Sequence, residues 1–139
     1  MDKIKVFLDS DVLISALLSQ TGASYEILKN PQINRVVSET IRSEVREVTK
    51  RLNISFYNER ILEKLEIITL KLDKTRLVTN YLRYVLDEED SHVVAGAVKG
   101  NARFLITHNI KHYHTEKIKR DLAIIIMKPG VFLQYLRSS

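Results

Sequence analysis

The sequence predicts an α/β fold: a three-layer α/β/α sandwich around a mainly parallel, four- to five-stranded sheet. Three observations carry this. Short, continuously apolar runs such as "IKVFL" and "LAIIIM" read as strands buried on both faces. Longer segments between them space their apolar residues at the helical period. The two kinds alternate along the chain, as they do where helices join parallel strands.

The first strand is "IKVFLD", Ile4 to Asp9, an apolar run closed by an acid. Asp11 then precedes Val12, Leu13, Ala16 and Leu17, the apolar face of a helix for which Asp11 is the expected N-cap. Gly22 breaks that helix. "SYEILKN" reads as a second one, stopped ahead of Pro31. "INRVVS", Ile33 to Ser38, is a short strand, and Ser38 caps the next helix. There Ile41, Val45, Val48 and Leu52 form one stripe, with Glu44 at its border.

The segment from Phe56 to Leu70 repeats the helical pattern with Ile61, Leu62, Leu65 and Ile68. "TRLVTNYLRYVL" is a further helix. "DEEDSHVVAGAVKGNA" begins with acids and continues with Val93, Val94, Ala97 and Val98. It predicts a helix with acids at its dipole-positive end, closing near Gly100. A strand from Phe104 to Thr107, a strand in Leu122 to Met127 and a helix led by Pro129 complete the chain.

The 139 residues are read as one domain, 1–139, and 45% are apolar, enough for a sizeable core. Cysteine is absent, which excludes disulfides and thiolate metal sites and is compatible with a cytoplasmic location. Strand-like sequence by Ile4 does not read as a signal peptide, and no apolar run approaches the ~20 residues of a membrane helix. The formal charge of +5 favours phosphate-rich partners, although it also serves solubility alone.

Ligands of open parallel sheets sit beyond the C-terminal strand ends. Asp9 and Asp11 follow the first strand, Thr107 to Asn109 follow the strand "FLIT", and Asp87 to Asp90 open a helix. Two carboxylates ~4 Å apart repel by on the order of 4 kcal/mol at an effective dielectric near 20. Protonation or a divalent cation relieves this, and oxygen-only ligands favour Mg²⁺ or Mn²⁺. Each acid also has a plainer explanation: helix cap for Asp11, solvated charges for Asp87 to Glu89, a surface glutamate for Glu44. Asp9 is the hardest to explain that way, because a buried acid needs a partner.

These residues resemble a PIN domain, the nuclease fold of VapC-type toxins. "FLDSDVLISALLS" is similar to the family's opening, "VVSETIRSEVREVTKRL" to its second-acid helix, and "DEEDSHVVAGAVKGNARFLITHN" to its third-acid segment and following strand. "IIIMKPGVFLQYL" is similar to its closing strand and helix. The resemblance implies a Mg²⁺- or Mn²⁺-dependent endoribonuclease, the toxin of a toxin–antitoxin pair. Asp9 and Asp90 would be direct metal ligands, Glu44 would hold metal-bound water or activate the nucleophile, and Asn109 and Asp11 would complete the site. Ser10 and Thr107 would orient carboxylates or phosphate, with Asp87 in support. Arg35, Lys99, Arg103, Lys111 and Lys128 are candidate RNA-phosphate contacts. RNA, an antitoxin and a second copy of the chain are the implied partners, and no membrane.

Two departures from the family pattern bear on activity. Asn109 stands where many members carry a fourth aspartate, and Asp11 where asparagine is common. The alternative is therefore a catalytically weakened PIN-like domain that binds RNA or a protein.

His108, His112 and His114 are spaced for zinc, but no glutamate at 109 serves as a metalloprotease base. "LDSDVL" also fits the opening of haloacid-dehalogenase-like phosphatases, which need a late acidic pair that Glu116 and Asp121 do not supply. A response-regulator receiver would need an aspartate between Glu47 and Leu72, where there is none.

Overall fold

The computed structural model describes residues 3–54 and 62–139. Its centre is a five-stranded, wholly parallel sheet in the order β3-β2-β1-β4-β5. The strands are β1 (Ile4–Leu8), β2 (Ile33–Ser38), β3 (Glu66–Ile68), β4 (Phe104–Ile106) and β5 (Ile125–Met127). The described helices are α1 (Ser10–Leu18), α2 (Ala23–Lys29), α3 (Glu39–Arg51), α4 (Lys74–Tyr81), α5 (Ser91–Lys99), α6 (Thr115–Leu122) and α7 (Pro129–Ser138). None is long and apolar enough to cross a membrane.

The sheet is covered on both faces, which is why its central strands carry no polar alternation. Phe7 and Val36 are register partners on one face, beneath α5. A Cβ on Gly96 would lie 2.4 Å from Phe7 Cζ, and one on Gly100 would lie 2.8 Å from Val36 Cγ1. These glycines serve close packing of helix on sheet. The left-handed turn that ends α5 belongs instead to Asn101, at φ 55°. On the opposite face the ring of Phe104 meets Phe132 and Tyr135 of α7, with centroids 5.2 and 5.1 Å away. The helices α1, α2 and α3 pack together, and α2 also meets α7.

Two segments differ from the sequence reading. Residues 56–61 of the expected Phe56–Leu70 helix lie outside the described residues, and Glu66–Ile68 form edge strand β3 rather than helix. Pairing with Val36, Val37 and Ser38 overrides the helical spacing of Leu65 and Ile68. The strand expected over Leu122–Met127 begins only at Ile125, because Leu122 ends α6, a helix not anticipated. Ala123 separates them in the left-handed conformation, at φ 57°.

Candidate active site

Asp9 leaves β1 at its C-terminal edge, where its backbone N–H donates to Ile106 O at 3.0 Å and so ties it to the end of β4. Its carboxylate caps α1: Oδ1 accepts from Ser10 N at 2.8 Å. The cap thus falls on Asp9, and Asp11, where it was expected, lies inside the first turn. Asp9 Oδ2 accepts from Thr107 Oγ1 at 3.0 Å and from the Tyr113 hydroxyl at 2.9 Å. A carboxylate offers about four lone-pair directions. Three are filled by donors from separate parts of the chain, so an acid only 9% exposed is held without a cationic side chain.

Asp11 Oδ2 accepts from Asn109 Nδ2 at 2.9 Å and from the His108 backbone N–H at 3.2 Å. Thr107 Oγ1 also lies 3.3 Å from Asp11 Oδ2, but its single proton has the shorter path to Asp9. Thr107 Oγ1 in turn accepts from Asn109 N at 3.1 Å. The His108 ring lies 3.5 Å from Asp11 Oδ1. Burial and then the charge of Asp9 push the Asp11 carboxyl above its ordinary pKa, against the His108 backbone bond.

Asp90 ends a 3₁₀ turn, Glu88–Asp90, that leads into α5. Its pKa is also raised, first by burial and then by Asp9, while His112 and His92 oppose the shift. His112 Nδ1 is 3.6 Å from Asp90 Oδ2. Asp87 is exposed and accepts from Glu89 N at 3.0 Å, capping the turn; its charge adds to the rise at Asp90. Glu44 Oε1 on α3 meets His92 Nε2 at 3.1 Å. Glu44 is linked to the group only through His92, whose charge acts on Asp90.

The structure brings Asp9, Asp11, Thr107, Asn109 and Asp90 to one edge of the sheet. Ser10 contributes its backbone N–H. Tyr113 and His92 were not singled out from sequence. Tyr113 was legible only as the one aromatic in the polar run "HNIKHYH"; it is buried and bridges antiparallel to Val85.

Among the described residues no three His, Asp or Glu side chains form a ready-made metal cage. Mg²⁺ does not demand one, since it keeps several waters and takes one or two carboxylates. An all-oxygen donor set in which burial and the charge of Asp9 raise the Asp11 and Asp90 carboxyls fits such an ion. The zinc arrangement of three histidines does not form, as His108 and His112 face different acids.

The five candidate phosphate contacts separate by position. Lys111, in the 3₁₀ turn after Asn109, and Lys128, directly after β5, are exposed at the acidic edge. Lys99 ends α5, about 13 Å along the helix from Asp90. Arg103 precedes β4, about 13 Å from Thr107 at strand rise. Arg35 is buried, and its guanidinium donates to the carbonyls of Ile27 and Asn30 at the end of α2. The expectation that Arg35 meets phosphate is corrected: its donors serve the fold.

The fold has counterparts among solved structures. A chain of the VapBC2 complex from Rickettsia felis, crystallised with a DNA fragment from its promoter, aligns with a TM-score of 0.61 at 19% identity, covering 90% of this chain and 98% of that one. A chain of a toxin–antitoxin complex from Klebsiella pneumoniae aligns with a TM-score of 0.62 at 20% identity, covering 86% and 95%. These likenesses concern the fold. No curated protein matches the sequence. The model of the PIN domain matches residues 5–111, from the start of β1 through the turn after Asn109. With that span taking in every acid of the site, the chain belongs to the PIN domain family.

Proposed function

We propose that this protein is a Mg²⁺- or Mn²⁺-dependent endoribonuclease, the toxin of a toxin–antitoxin pair. The observation that carries the reading is the gathering of Asp9, Asp11 and Asp90, from two distant segments, at one edge of the sheet, where burial and then the charge of Asp9 raise the Asp11 and Asp90 carboxyls. Acids gathered at that cost need a cation partner, and a phosphodiester is the substrate class such a cation positions.

A bound divalent ion would lower the pKa of a coordinated water and polarise the phosphoryl oxygens. Asp9 and Asp90 would hold it. Thr107 and Tyr113 fix the Asp9 carboxylate in one orientation, which sets the direction of its remaining lone pair. Asn109 supplies no charge but holds Asp11, whose carboxylate adds negative charge at this edge. Glu44, whose Oε1 lies 3.1 Å from His92 Nε2, would accept a proton from attacking water.

Toxin–antitoxin complexes among the fold's neighbours support an antitoxin partner and, with the family, a second copy of the chain. The test is incubation of purified protein with RNA and Mg²⁺, then with EDTA, and with the Asp9→Asn/Asp90→Asn double variant. Cleavage is expected only in the first. Undiminished cleavage by the double variant would reject the metal-site assignment.

A further inference from the structure

We propose that Tyr113 is a specificity-determining residue of the acidic centre: its hydroxyl confines Asp9 to holding a cation through one oxygen, and so selects Mg²⁺ over Ca²⁺. The proposal rests on the nuclease reading for the presence of a divalent ion and goes on to say which ion the chain's own hydrogen bonds favour.

The first observation is which oxygen of Asp9 is left open. Oδ2 accepts from Thr107 Oγ1 at 3.0 Å and from the Tyr113 hydroxyl at 2.9 Å. A carboxylate oxygen has about two lone-pair directions, so Oδ2 is full. Oδ1 accepts from Ser10 N at 2.8 Å and keeps one direction. A cation can therefore meet Asp9 through Oδ1 alone, because two-oxygen coordination needs Oδ2 as well. Asp11 is constrained in the same way. Its Oδ2 accepts from Asn109 Nδ2 at 2.9 Å and from His108 N at 3.2 Å.

The second observation separates Tyr113 from Thr107. Thr107 Oγ1 stands 3.0 Å from Asp9 Oδ2 and 3.3 Å from Asp11 Oδ2, so its one proton can turn from the first acid to the second and free a direction on Asp9. Tyr113 is fixed. Its side chain is buried, and its backbone bridges antiparallel to Val85. On either side Leu86 N donates to His112 O at 3.0 Å, and His114 N donates to Tyr84 O at 3.0 Å. A buried ring on a backbone tied at both ends has little room to swing away from Asp9. Burial and the carboxylate charges push its phenol upward, so the proton is in place at neutral pH.

The third link is the chemistry of the ions. Ca²⁺ gathers about six to eight oxygens and often takes both oxygens of one carboxylate. Mg²⁺ keeps several waters in an octahedral shell and takes one or two carboxylates. Acids that offer single oxygens meet the needs of Mg²⁺ and leave Ca²⁺ short of ligands.

The experiment measures binding rather than cleavage. The purified chain is titrated by calorimetry with MgCl₂ and, separately, with CaCl₂, in the absence of RNA. The parent is expected to bind Mg²⁺ more tightly. Tyr113→Phe keeps the ring and the backbone pairing but has no proton to give. In that variant the ratio of Mg²⁺ to Ca²⁺ affinity should fall about tenfold, the usual scale for a group behind a metal ligand. A residue that served the fold alone would leave that ratio where it was. Tyrosine labelled with ¹³C at Cζ reads the hydroxyl in the parent itself: the Tyr113 signal should keep its hydrogen-bonded position when either ion is bound.

A parent that binds Ca²⁺ as tightly as Mg²⁺ overturns the proposal, as does a ratio that Tyr113→Phe leaves unchanged. A Cζ signal that moves to the position of a free phenol with either ion also overturns it, since the hydroxyl would then yield to the cation. Binding of neither ion overturns this proposal together with the nuclease reading. The stated preference, lost in Tyr113→Phe, in a protein that leaves RNA intact with Mg²⁺ would support the proposal and count against the nuclease reading alone.

Discussion

The hydroxyl of Tyr113 donates to Asp9 Oδ2 at 2.9 Å across 104 residues of sequence, and both side chains are buried. Burial and then the charges of Asp9, Asp90 and Asp11 push the phenol far above its ordinary pKa. So raised, it is expected to stay a neutral donor well into the alkaline range. The chain contains six tyrosines. Ultraviolet titration should leave Tyr113 un-ionised until alkaline unfolding, and Tyr113→Phe should remove that late-titrating component without changing the rest.

The same bond carries stability. Tyr113→Phe leaves a buried carboxylate short of one donor, which costs about 1–3 kcal/mol. Urea denaturation should show the midpoint falling with an unchanged slope. A midpoint equal to that of the parent would mean the bond holds nothing in place.

Asp90 makes the opposite prediction. Its folded pKa is raised, so in the window above the ordinary value of 3.8 the folded state binds more protons than the unfolded. Stability from this group is therefore present at low pH and lost as pH rises through that window. Asp90→Asn should flatten this part of the pH–stability curve and raise the urea midpoint at pH 7. A variant that is less stable than the parent at neutral pH would refute the upward shift.

A cation should do reversibly what Asp90→Asn does permanently. Mg²⁺ or Mn²⁺ is expected to raise the melting temperature of the parent in proportion to the logarithm of its concentration above Kd. The Asp9→Asn/Asp90→Asn protein should show no such rise. Calorimetric scans with and without EDTA make the comparison.

Gly96 tests the packing behind the site. A Cβ there would sit 2.4 and 2.7 Å from atoms of the Phe7 ring, which is fully buried. Gly96→Ala should destabilise by about 1–3 kcal/mol in spite of its better helix propensity. An unchanged melting temperature would show that the ring has room to move.

Much of this was legible beforehand, for physical reasons. β1 and β2 announce themselves because both faces of a central parallel strand are covered, so no polar residue interrupts Val6 to Leu8 or Val36 to Val37. Ser38 caps α3 as expected, accepting from Ile41 N at 3.1 Å. Asp9 was conspicuous because nothing apolar explains an acid there. β3 was missed because three residues at a sheet edge, one of them the exposed Glu66, carry too little pattern to outweigh helical spacing nearby. α6 was missed because only Ile118 of "TEKIKRDL" is buried, and one contact makes no stripe. Tyr113 and His92 could not be assigned from sequence, since Tyr113 bonds to a residue 104 positions away and His92 lies against one 48 positions away.

Arg35 has a consequence for how the protein would meet a polyanion. Its guanidinium is turned inward onto the carbonyls of Ile27 and Asn30, and burial lowers its pKa. One of the 22 basic residues behind the formal surplus of +5 is therefore buried. Its charge still counts in the long-range field, but it offers a polyanion no direct contact, so contact at the acidic edge falls to exposed side chains such as Lys111 and Lys128. Ionic strength should matter most where Lys111 and Lys128 project, which would give an approaching strand a preferred direction of arrival.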